Sequence, residues 1–97
     1  MKVKISPYAE LDLQVSISYY NEQKEKLGSE FANEVNDTFI RIVENYEQFP
    51  RILKDMRKAR MHRFPYNVFF VYENQTIYIL GIFHTSRNPE LMKRRHK

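Results

Sequence analysis

YNVFFVYENQTIYILGIFH, residues 66–84, is the stretch of this chain that decides the fold. Its first part, Tyr66 to Tyr72, is nearly all apolar, and its last part, Thr76 to His84, is rich in Ile, Tyr and Phe. Asn74-Gln75 between them suits a two-residue turn, so the stretch predicts an antiparallel β-hairpin. Because a strand that is apolar throughout is most often covered on both faces, we expect the first of these strands at the centre of the sheet.

The segment before the hairpin, from Arg57 to Phe64, alternates in polarity and predicts a third strand. Successive side chains of a strand point to opposite faces, so Ala59 and Met61 are expected against the core. The alternate positions are basic and are expected to share the open face of the sheet: Lys58, Arg60 and His62. Such a row suits contacts with phosphate groups or with an acidic peptide. The alternative is that these charges only protect an edge strand from aggregation.

The N-terminal residues predict a strand followed by a helix. Val3 and Ile5 indicate a short strand, and Ser6-Pro7 is typical of a helix start, with a hydroxyl cap and a proline at the first helical position. Two apolar rows at helical spacing follow: Tyr8, Leu11, Val15 and Tyr19 in one, and Ala9, Leu13, Ile17 and Tyr20 in the other. Leu11 to Tyr19 also alternates as a strand would, but the cap and the lack of a turn residue over 8–26 favour a helix.

The next residues predict a second helix. In Leu27-Gly28-Ser29 we expect Gly28 in the left-handed position that closes the first helix and Ser29 as the next cap. One apolar stripe follows and should end before Phe49-Pro50: Phe31, Val35, Phe39, Ile42 and Tyr46. The expected fold is therefore α+β in the order β-α-α-β-β-β. It comprises an N-terminal strand, a two-helix antiparallel hairpin and a three-stranded antiparallel meander forming one sheet, in a single domain over 1–97.

Composition narrows the possible functions. The 97 residues contain no cysteine and only two glycines, which excludes a disulfide framework and a glycine-rich phosphate loop. No apolar run is long enough to span a membrane, so we expect a cytoplasmic protein without a membrane partner. Residues 1–50 carry five basic and nine acidic groups, a net charge of −4, whereas residues 51–97 carry eleven and three, a net of +8. This basic half favours a polyanionic or acidic partner, unless it is simply a solvated surface.

The end of the last strand carries a second group of candidate residues. His84 and Arg87 lie where the chain is expected to leave the sheet, followed by the basic residues of the tail, which include Lys93, Arg94 and Arg95. A histidine beside arginines suits proton transfer, although a lone histidine is more often a structural residue. The three histidines, His62, His84 and His96, lack metal-ligand spacing, so we expect no metal and no cofactor.

Four short motifs, taken in order, resemble the RelE/ParE superfamily of bacterial toxins. Phe64-Pro65-Tyr66 opens the third strand, and His84-x-x-Arg87-Asn88-Pro89 ends the last one. Ser-Pro-x-Ala-x-x-Asp-Leu at 6–13 and Leu-Gly-x-x-Phe at 27–31 are similar to the family's helical hairpin. The resemblance covers nearly the whole chain. It implies the toxin of a type II toxin–antitoxin module, with the ParE-like branch favoured.

The resemblance implies two possible targets. ParE-like members inhibit DNA gyrase, whereas RelE-like members cleave messenger RNA on the ribosome with basic residues of the sheet. If the chain were a ribonuclease, its residues would be Arg60, His62, Arg63, His84 and Arg87. Against this reading, Asn67 replaces an expected arginine, and no tyrosine follows Tyr78. Contact with the target or antitoxin is expected at Lys58, Arg60, His62, Arg87, Lys93, Arg94 and Arg95.

The resemblance also implies a cognate antitoxin. We expect a small protein with a disordered, amphipathic segment that folds on the toxin. Its apolar side chains would enter the groove between the helices and the sheet, and its acidic groups would face Lys58, Arg60 and the C-terminal basic residues.

Overall fold

The computed structural model describes residues 1–95. The helices are α1, Pro7–Gln23, and α2, Leu27–Glu44. The strands are β1, Lys2–Ile5; β2, Arg51–Leu53; β3, Met56–Arg60; β4, Tyr66–Glu73; and β5, Thr76–His84. Two short 3₁₀ helices cover Tyr46–Gln48 and Pro89–Arg95. None of the helices in this described part of the chain is long and apolar enough to cross a membrane.

The five strands form one mixed sheet in the order β1-β5-β4-β3-β2. β1 runs parallel to β5, and the other neighbours are antiparallel. The predicted α+β class, the helical hairpin and the meander of β3, β4 and β5 are confirmed. β2 was not predicted, because a strand of three residues gives almost no pattern in the sequence. A two-residue turn joins it to β3, and Lys54 in that turn has a φ of 52°.

The predicted hairpin lies at the centre of this sheet. β4 is buried from Tyr66 to Val71, as expected of a strand covered on both faces. Asn74 and Gln75 have φ values of 52° and 58°, the left-handed conformation that a two-residue hairpin turn requires at both positions. The turn matches the twist of the strands and sets the register of β4 on β5.

The start of α1 is as predicted, but the turn between the helices is not. The hydroxyl of Ser6 accepts a hydrogen bond from the Ala9 amide at 3.1 Å. Lys26, with a φ of 70°, takes the left-handed position, so the prediction that Gly28 closes α1 and Ser29 caps α2 is wrong. Gly28 is required for a different reason. A Cβ at Gly28 would lie 2.5 Å from the side-chain oxygen of Asn21, because the two helices approach closely there.

The helices cover one face of the sheet with an aromatic cluster. Phe31 of α2 contacts Tyr66 and Phe64, with ring centroids 4.8 and 5.1 Å apart, and Tyr20 of α1 stacks on Phe31 at 5.2 Å. This core sits at the end of the sheet where β4 begins and β5 ends. It fixes the helical hairpin relative to the last strand and to the candidate residues that follow it.

The opposite face of the sheet is only partly open, which corrects the prediction. The C-terminal 3₁₀ helix lies across it and buries Met92 against Phe69 and Leu80. Gly81 allows this approach, because a Cβ there would lie 2.6 Å from the Met92 methyl carbon. Beside this covered region, at the end of β3, Arg60 is exposed.

Candidate functional site

A row of three paired residues crosses this end of the face, where Arg60 is exposed and the other two are buried. Arg60 of β3 pairs with Asn67 of β4, and Asn67 pairs with Phe83 of β5. Phe83 belongs to the core on the face away from the helices, so all three side chains are on that side. Arg87, beyond the end of β5, places its guanidinium carbon 3.8 Å from the Phe83 ring centroid. We call these four residues the basic row.

Asn67 is the unusual member of the basic row. Its side chain is only 9% exposed, and its Oδ1 atom is buried without a hydrogen-bond partner among the residues described. A buried acceptor of this kind costs stability unless a donor reaches it. In the sheet, Asn67 lies between Arg60 on one side and Phe83, which the Arg87 guanidinium covers, on the other.

Lys58 lies one row further along the same face. It pairs with Phe69, which belongs to the core under the C-terminal helix. The Arg60 guanidinium makes a hydrogen bond of 3.2 Å to the carbonyl of Met61, so it stays close to the end of β3. The structure thus places Lys58, Arg60 and Arg87 on one face of the sheet.

β3 ends at Arg60 and not at Phe64 as predicted, so His62 lies beyond the strand, where alternation no longer decides its face. The carboxylate of Glu34 accepts hydrogen bonds from the amides of His62, Arg63 and Phe64 at 2.9, 2.7 and 3.1 Å. Successive amides of an extended strand point in opposite directions, so binding three of them requires a bend. We call residues 62–64 the Glu34 loop. No sequence pattern indicated this role of Glu34.

Arg63 is held by a side chain of the same helix. Its guanidinium forms an ion pair of 2.7 Å with Glu30, in which both side chains are largely exposed. Exposed pairs of this kind contribute little to stability, so the contact orients Arg63 more than it stabilises the fold. The pair keeps Arg63 against α2 and directs it away from the basic row.

His84 lies on the helical side of the sheet, opposite the basic row. Its ring meets Tyr66 edge-on, with centroids 5.3 Å apart. The Nδ1 atom accepts a hydrogen bond from the Ser86 amide at 3.0 Å, and the Ser86 hydroxyl lies 2.8 Å away. An amide can only donate, so this contact assigns the proton of the neutral ring to Nε2.

His84 borders a groove of about 440 Å³ between α1, the start of α2 and the end of the sheet. Its walls are mostly apolar and include Val15, Tyr19, Leu27 and Tyr66. Tyr20 also lines it, and burial, reinforced by the neighbouring Tyr66, raises the pKa of the Tyr20 phenol to about 12. The groove is therefore a mostly apolar surface in which the Tyr20 phenol is neutral at neutral pH, and it ends beside His84.

The C-terminal basic residues have different environments. Lys93 pairs with Glu90 at 2.8 Å on the exposed side of the 3₁₀ helix, and Arg94 is exposed. Arg95 instead forms a buried ion pair of 2.7 Å with Asp12 of α1, with 15% and 10% of the two side chains exposed. This pair was not predicted, since 83 residues separate its members. His96 and Lys97 lie outside the described residues.

The chemistry of the basic row follows from its groups. The guanidinium groups of Arg60 and Arg87 supply positive charge, and Asn67 supplies a hydrogen-bond acceptor. Phe83 is buried and supports the Arg87 guanidinium from below. None of them exchanges a proton readily at neutral pH. The two histidines that were candidates for proton transfer lie in the Glu34 loop and on the helical side, so the described geometry is suited to binding an acidic group.

Comparisons with known proteins identify the family. The chain matches, over residues 3–89, the model of a family described as the ParE toxin of the type II toxin–antitoxin system parDE. Among solved structures, a chain from the chromosomal ParDE system of P. aeruginosa is similar, with a TM-score of 0.78. The match covers 87% of this chain and 95% of that one at 18% sequence identity, so it concerns the fold. A search of curated proteins returns no match. The family match confirms the resemblance derived from the motifs, and the chain belongs to the ParE toxin family of type II toxin–antitoxin systems.

Proposed function

We propose that this toxin inhibits DNA gyrase by binding it through the basic row, without a hydrolytic step of its own. The observation that carries the proposal is the composition of that row: Arg60, Asn67, Phe83 and Arg87 offer charge and hydrogen bonds but no proton-transfer group. Family membership supports the same target. The protein then acts in the cytoplasm and needs no cofactor.

A supercoiling assay with purified gyrase tests the target. The unmodified toxin should block supercoiling of relaxed plasmid in a dose-dependent manner. Arg60→Glu and Arg87→Glu should each raise the inhibitory concentration by about tenfold or more, because they place a negative charge where an acidic group of the target binds. Arg51→Glu is the matched control, since Arg51 is exposed on β2 at the far edge of the sheet.

Two results would count against this target. Unaffected supercoiling at saturating toxin would exclude gyrase. Equal losses in the Arg51 and Arg60 variants would show that only the net charge matters. Cleavage mapping of ribosome-bound messenger RNA should be run in parallel, because specific cuts by the toxin would support the RelE-like alternative. His84→Gln would then be expected to reduce the cutting.

We further propose that a cognate antitoxin neutralises the toxin by wrapping around this end of the sheet. The apolar part of its disordered segment would fill the groove beside Tyr20, Leu27 and Tyr66. The groove ends at His84, and three residues later the chain presents Arg87 on the other face. Acidic groups that follow the apolar part would therefore meet the basic row and Lys58.

The antitoxin proposal is tested with the product of a small reading frame beside the toxin gene. Binding measured by calorimetry should be tight for the unmodified toxin. It should weaken and lose much of its salt dependence in Arg87→Glu, but not in Arg51→Glu, since fewer charge pairs then form. A neighbouring product that leaves the toxin unbound and active would overturn the proposal.

A further inference from the structure

β1 forms one edge of the sheet, and its outer side offers backbone groups for hydrogen bonding. The Ser6 amide, directly after β1, donates to the Ile79 carbonyl of β5 at 3.0 Å, and the Lys2 amide points to the same side. Backbone groups of successive residues point to opposite sides of a strand, so those of Val3 and Ile5 point away from β5. These two residues therefore present two N–H donors and two C=O acceptors that no strand of residues 1–95 meets.

The face of β1 on the helical side is apolar. Val3 and Ile5 are each 38% exposed and border a groove of about 400 Å³, which we call the β1 groove. Residues of α2 form its other wall, among them Phe39, Ile40 and Val43. An extended segment lying beside β1 would place every second side chain over this groove. The groove therefore selects apolar residues at those positions.

The other face of β1 is basic. The Lys4 ammonium lies 6.0 Å from the centroid of the Tyr78 ring on the face away from the helices, and alternation puts Lys2 on the same face. Both lysines are exposed, and neither belongs to an ion pair described for residues 1–95. Opposite charges on facing residues of neighbouring strands stabilise the pairing. The lysines therefore select acidic residues at the positions between the apolar ones.

We propose that this edge binds an extended peptide segment of a partner protein, in which apolar and acidic residues alternate, as an added antiparallel strand. The residues opposite Val3 and Ile5 each exchange two backbone hydrogen bonds with them and place apolar side chains over the β1 groove. The residues opposite Lys2 and Lys4 carry the carboxylates. A helix in this position would leave the four backbone groups of the edge unmet, because its own backbone groups are already paired.

The same charges disfavour a second copy of this chain as the occupant. Two antiparallel registers overlap most of β1. If Val3 of one copy lay opposite Ile5 of the other, the two Lys4 side chains would face each other. If the two Val3 residues lay opposite each other, Lys2 would face Lys4. Like charges directly opposite destabilise a strand pair, so the edge fits a strand of complementary charge better than its own sequence.

The inference is independent of the proposed gyrase and antitoxin contacts. None of the residues that form this edge lines the groove beside His84 or belongs to the basic row. Binding at β1 can therefore be measured on the full chain alone, and its failure would leave the supercoiling assay unaffected.

Nuclear magnetic resonance of the full chain with a capped synthetic peptide, Thr-Val-Glu-Val-Glu-Thr, tests the inference. Read antiparallel to β1, its two valines face Ile5 and Val3, and its two glutamates face Lys4 and Lys2. The peptide should bind with a Kd on the order of 100 µM, since few contacts offset the ordering of a short chain. At saturation, hydrogen exchange of the Val3 and Ile5 amides should slow by about tenfold. Exchange of the Lys4 amide, which already faces β5, should change little.

A backbone-modified peptide separates strand addition from simple apolar contact. Methylation of both valine nitrogens keeps the side chains and the charges but removes the two donors to the Val3 and Ile5 carbonyls. This peptide should bind at least about tenfold more weakly than its parent, because two backbone hydrogen bonds are lost.

Charge exchange tests the predicted pattern. The double variant Lys2→Glu with Lys4→Glu should bind the peptide about tenfold more weakly, and a peptide with lysines in place of its glutamates should restore binding. Arg51→Glu with Lys54→Glu is the matched control, because it makes the same change in net charge at exposed residues of the opposite edge. It should bind the original peptide as the unmodified chain does. Unchanged melting temperatures would show that both double variants are folded.

Four results would overturn the inference. The first is unchanged exchange of the Val3 and Ile5 amides at about 2 mM peptide. The second is equal binding of the methylated peptide and its parent. The third is an equal loss of binding in the two double variants, which would show an effect of net charge alone. The fourth is slower exchange of the same amides when the chain is concentrated without peptide, which would identify a second copy as the occupant.

Discussion

Replacing Asp12 by alanine should destabilise the protein more than replacing Glu34 or Glu90 by alanine. Asp12 lies on α1 beside a bulge in β5, where Phe69 pairs with Gly81 but Phe70 pairs with Ile79. The bulge interrupts the ladder, and Asp12 supports it by accepting a hydrogen bond from the Ile82 amide at 2.9 Å. The same carboxylate holds Arg95 at 2.7 Å.

The magnitude follows from the groups left without a partner. An unsatisfied Ile82 amide costs about 1–3 kcal/mol, and removing one partner of a buried ion pair costs about 3–5 kcal/mol. These losses overlap, because Arg95 can return to water if the C-terminal 3₁₀ helix leaves the sheet. That movement exposes Met92, whose burial contributes about 2 kcal/mol. The expected loss for Asp12→Ala is therefore about 3–4 kcal/mol.

Urea denaturation at neutral pH, followed by circular dichroism, measures this loss. Asp12→Asn should cost less than Asp12→Ala, since an amide oxygen still accepts from Ile82. Glu90→Ala is the matched control, because it breaks the exposed pair with Lys93 on the same 3₁₀ helix and should cost under about 0.5 kcal/mol. If Asp12→Ala and Glu90→Ala agreed within 1 kcal/mol, the proposed role of the buried pair would be wrong.

Three further predictions concern the helical side. Glu34→Ala should destabilise the fold by about 2 kcal/mol and speed hydrogen exchange of the amides of residues 62–64, which lose their acceptor; unchanged exchange would contradict the role of Glu34. Gly28→Ala should cost about 1–3 kcal/mol in urea denaturation despite the better helix propensity of alanine, because the added Cβ meets Asn21, and a more stable variant would disprove the close approach. Burial raises the pKa of Tyr20 from 10.0 to about 12, so the folded chain holds the phenolic proton more tightly than the unfolded chain. The resulting stabilisation is complete below pH 10 and is lost as the pH rises towards 12. Tyr20→Phe removes the phenol, so the free energy of unfolding should fall by about 1 kcal/mol less between pH 10 and pH 12 than in the unmodified chain, after allowance for the partial exposure of the ring. The same pH profile of stability in both proteins would refute the raised pKa of Tyr20.

Local patterns predicted the elements whose cause is local. The Asn74-Gln75 turn, the Ser6 cap and the apolar β4 were all predicted correctly, because short-range geometry or burial on both faces decides them. The inter-helix turn was predicted wrongly for a non-local reason. Gly28 resembles a left-handed closing residue in sequence, but in the fold its missing side chain makes room for Asn21 of the other helix.

The candidate site was only partly accessible from sequence. Alternation correctly put Arg60 on the face opposite Ala59. It does not extend to His62, because a carboxylate 28 residues earlier holds the chain in a bend after Arg60. The pairing of Arg95 with Asp12 was equally invisible, since contacts across 83 residues leave no periodic signal. Long-range contacts with a carboxylate therefore account for both of the candidate residues whose surroundings differ most from expectation.

These contacts also change the meaning of the charge asymmetry between the two halves of the chain. Several basic groups of the second half serve the first half directly: Arg63 pairs with Glu30, Arg95 pairs with Asp12, and Arg57 donates to the Phe49 carbonyl at 2.6 Å. Such residues hold the sheet to the helices and are poor candidates for target contact, because a partner would first have to break their bonds. Lys58, Arg60 and Arg87 have no ion pair within residues 1–95 in the contacts described above, and they share one face beside the orphaned oxygen of Asn67. The positive charge of this half that is free to meet a partner is therefore concentrated at one end of the sheet. Substitutions at this end should weaken binding of the partner and leave the stability of the fold unchanged, whereas substitutions of Arg95 in the tail should also lower stability.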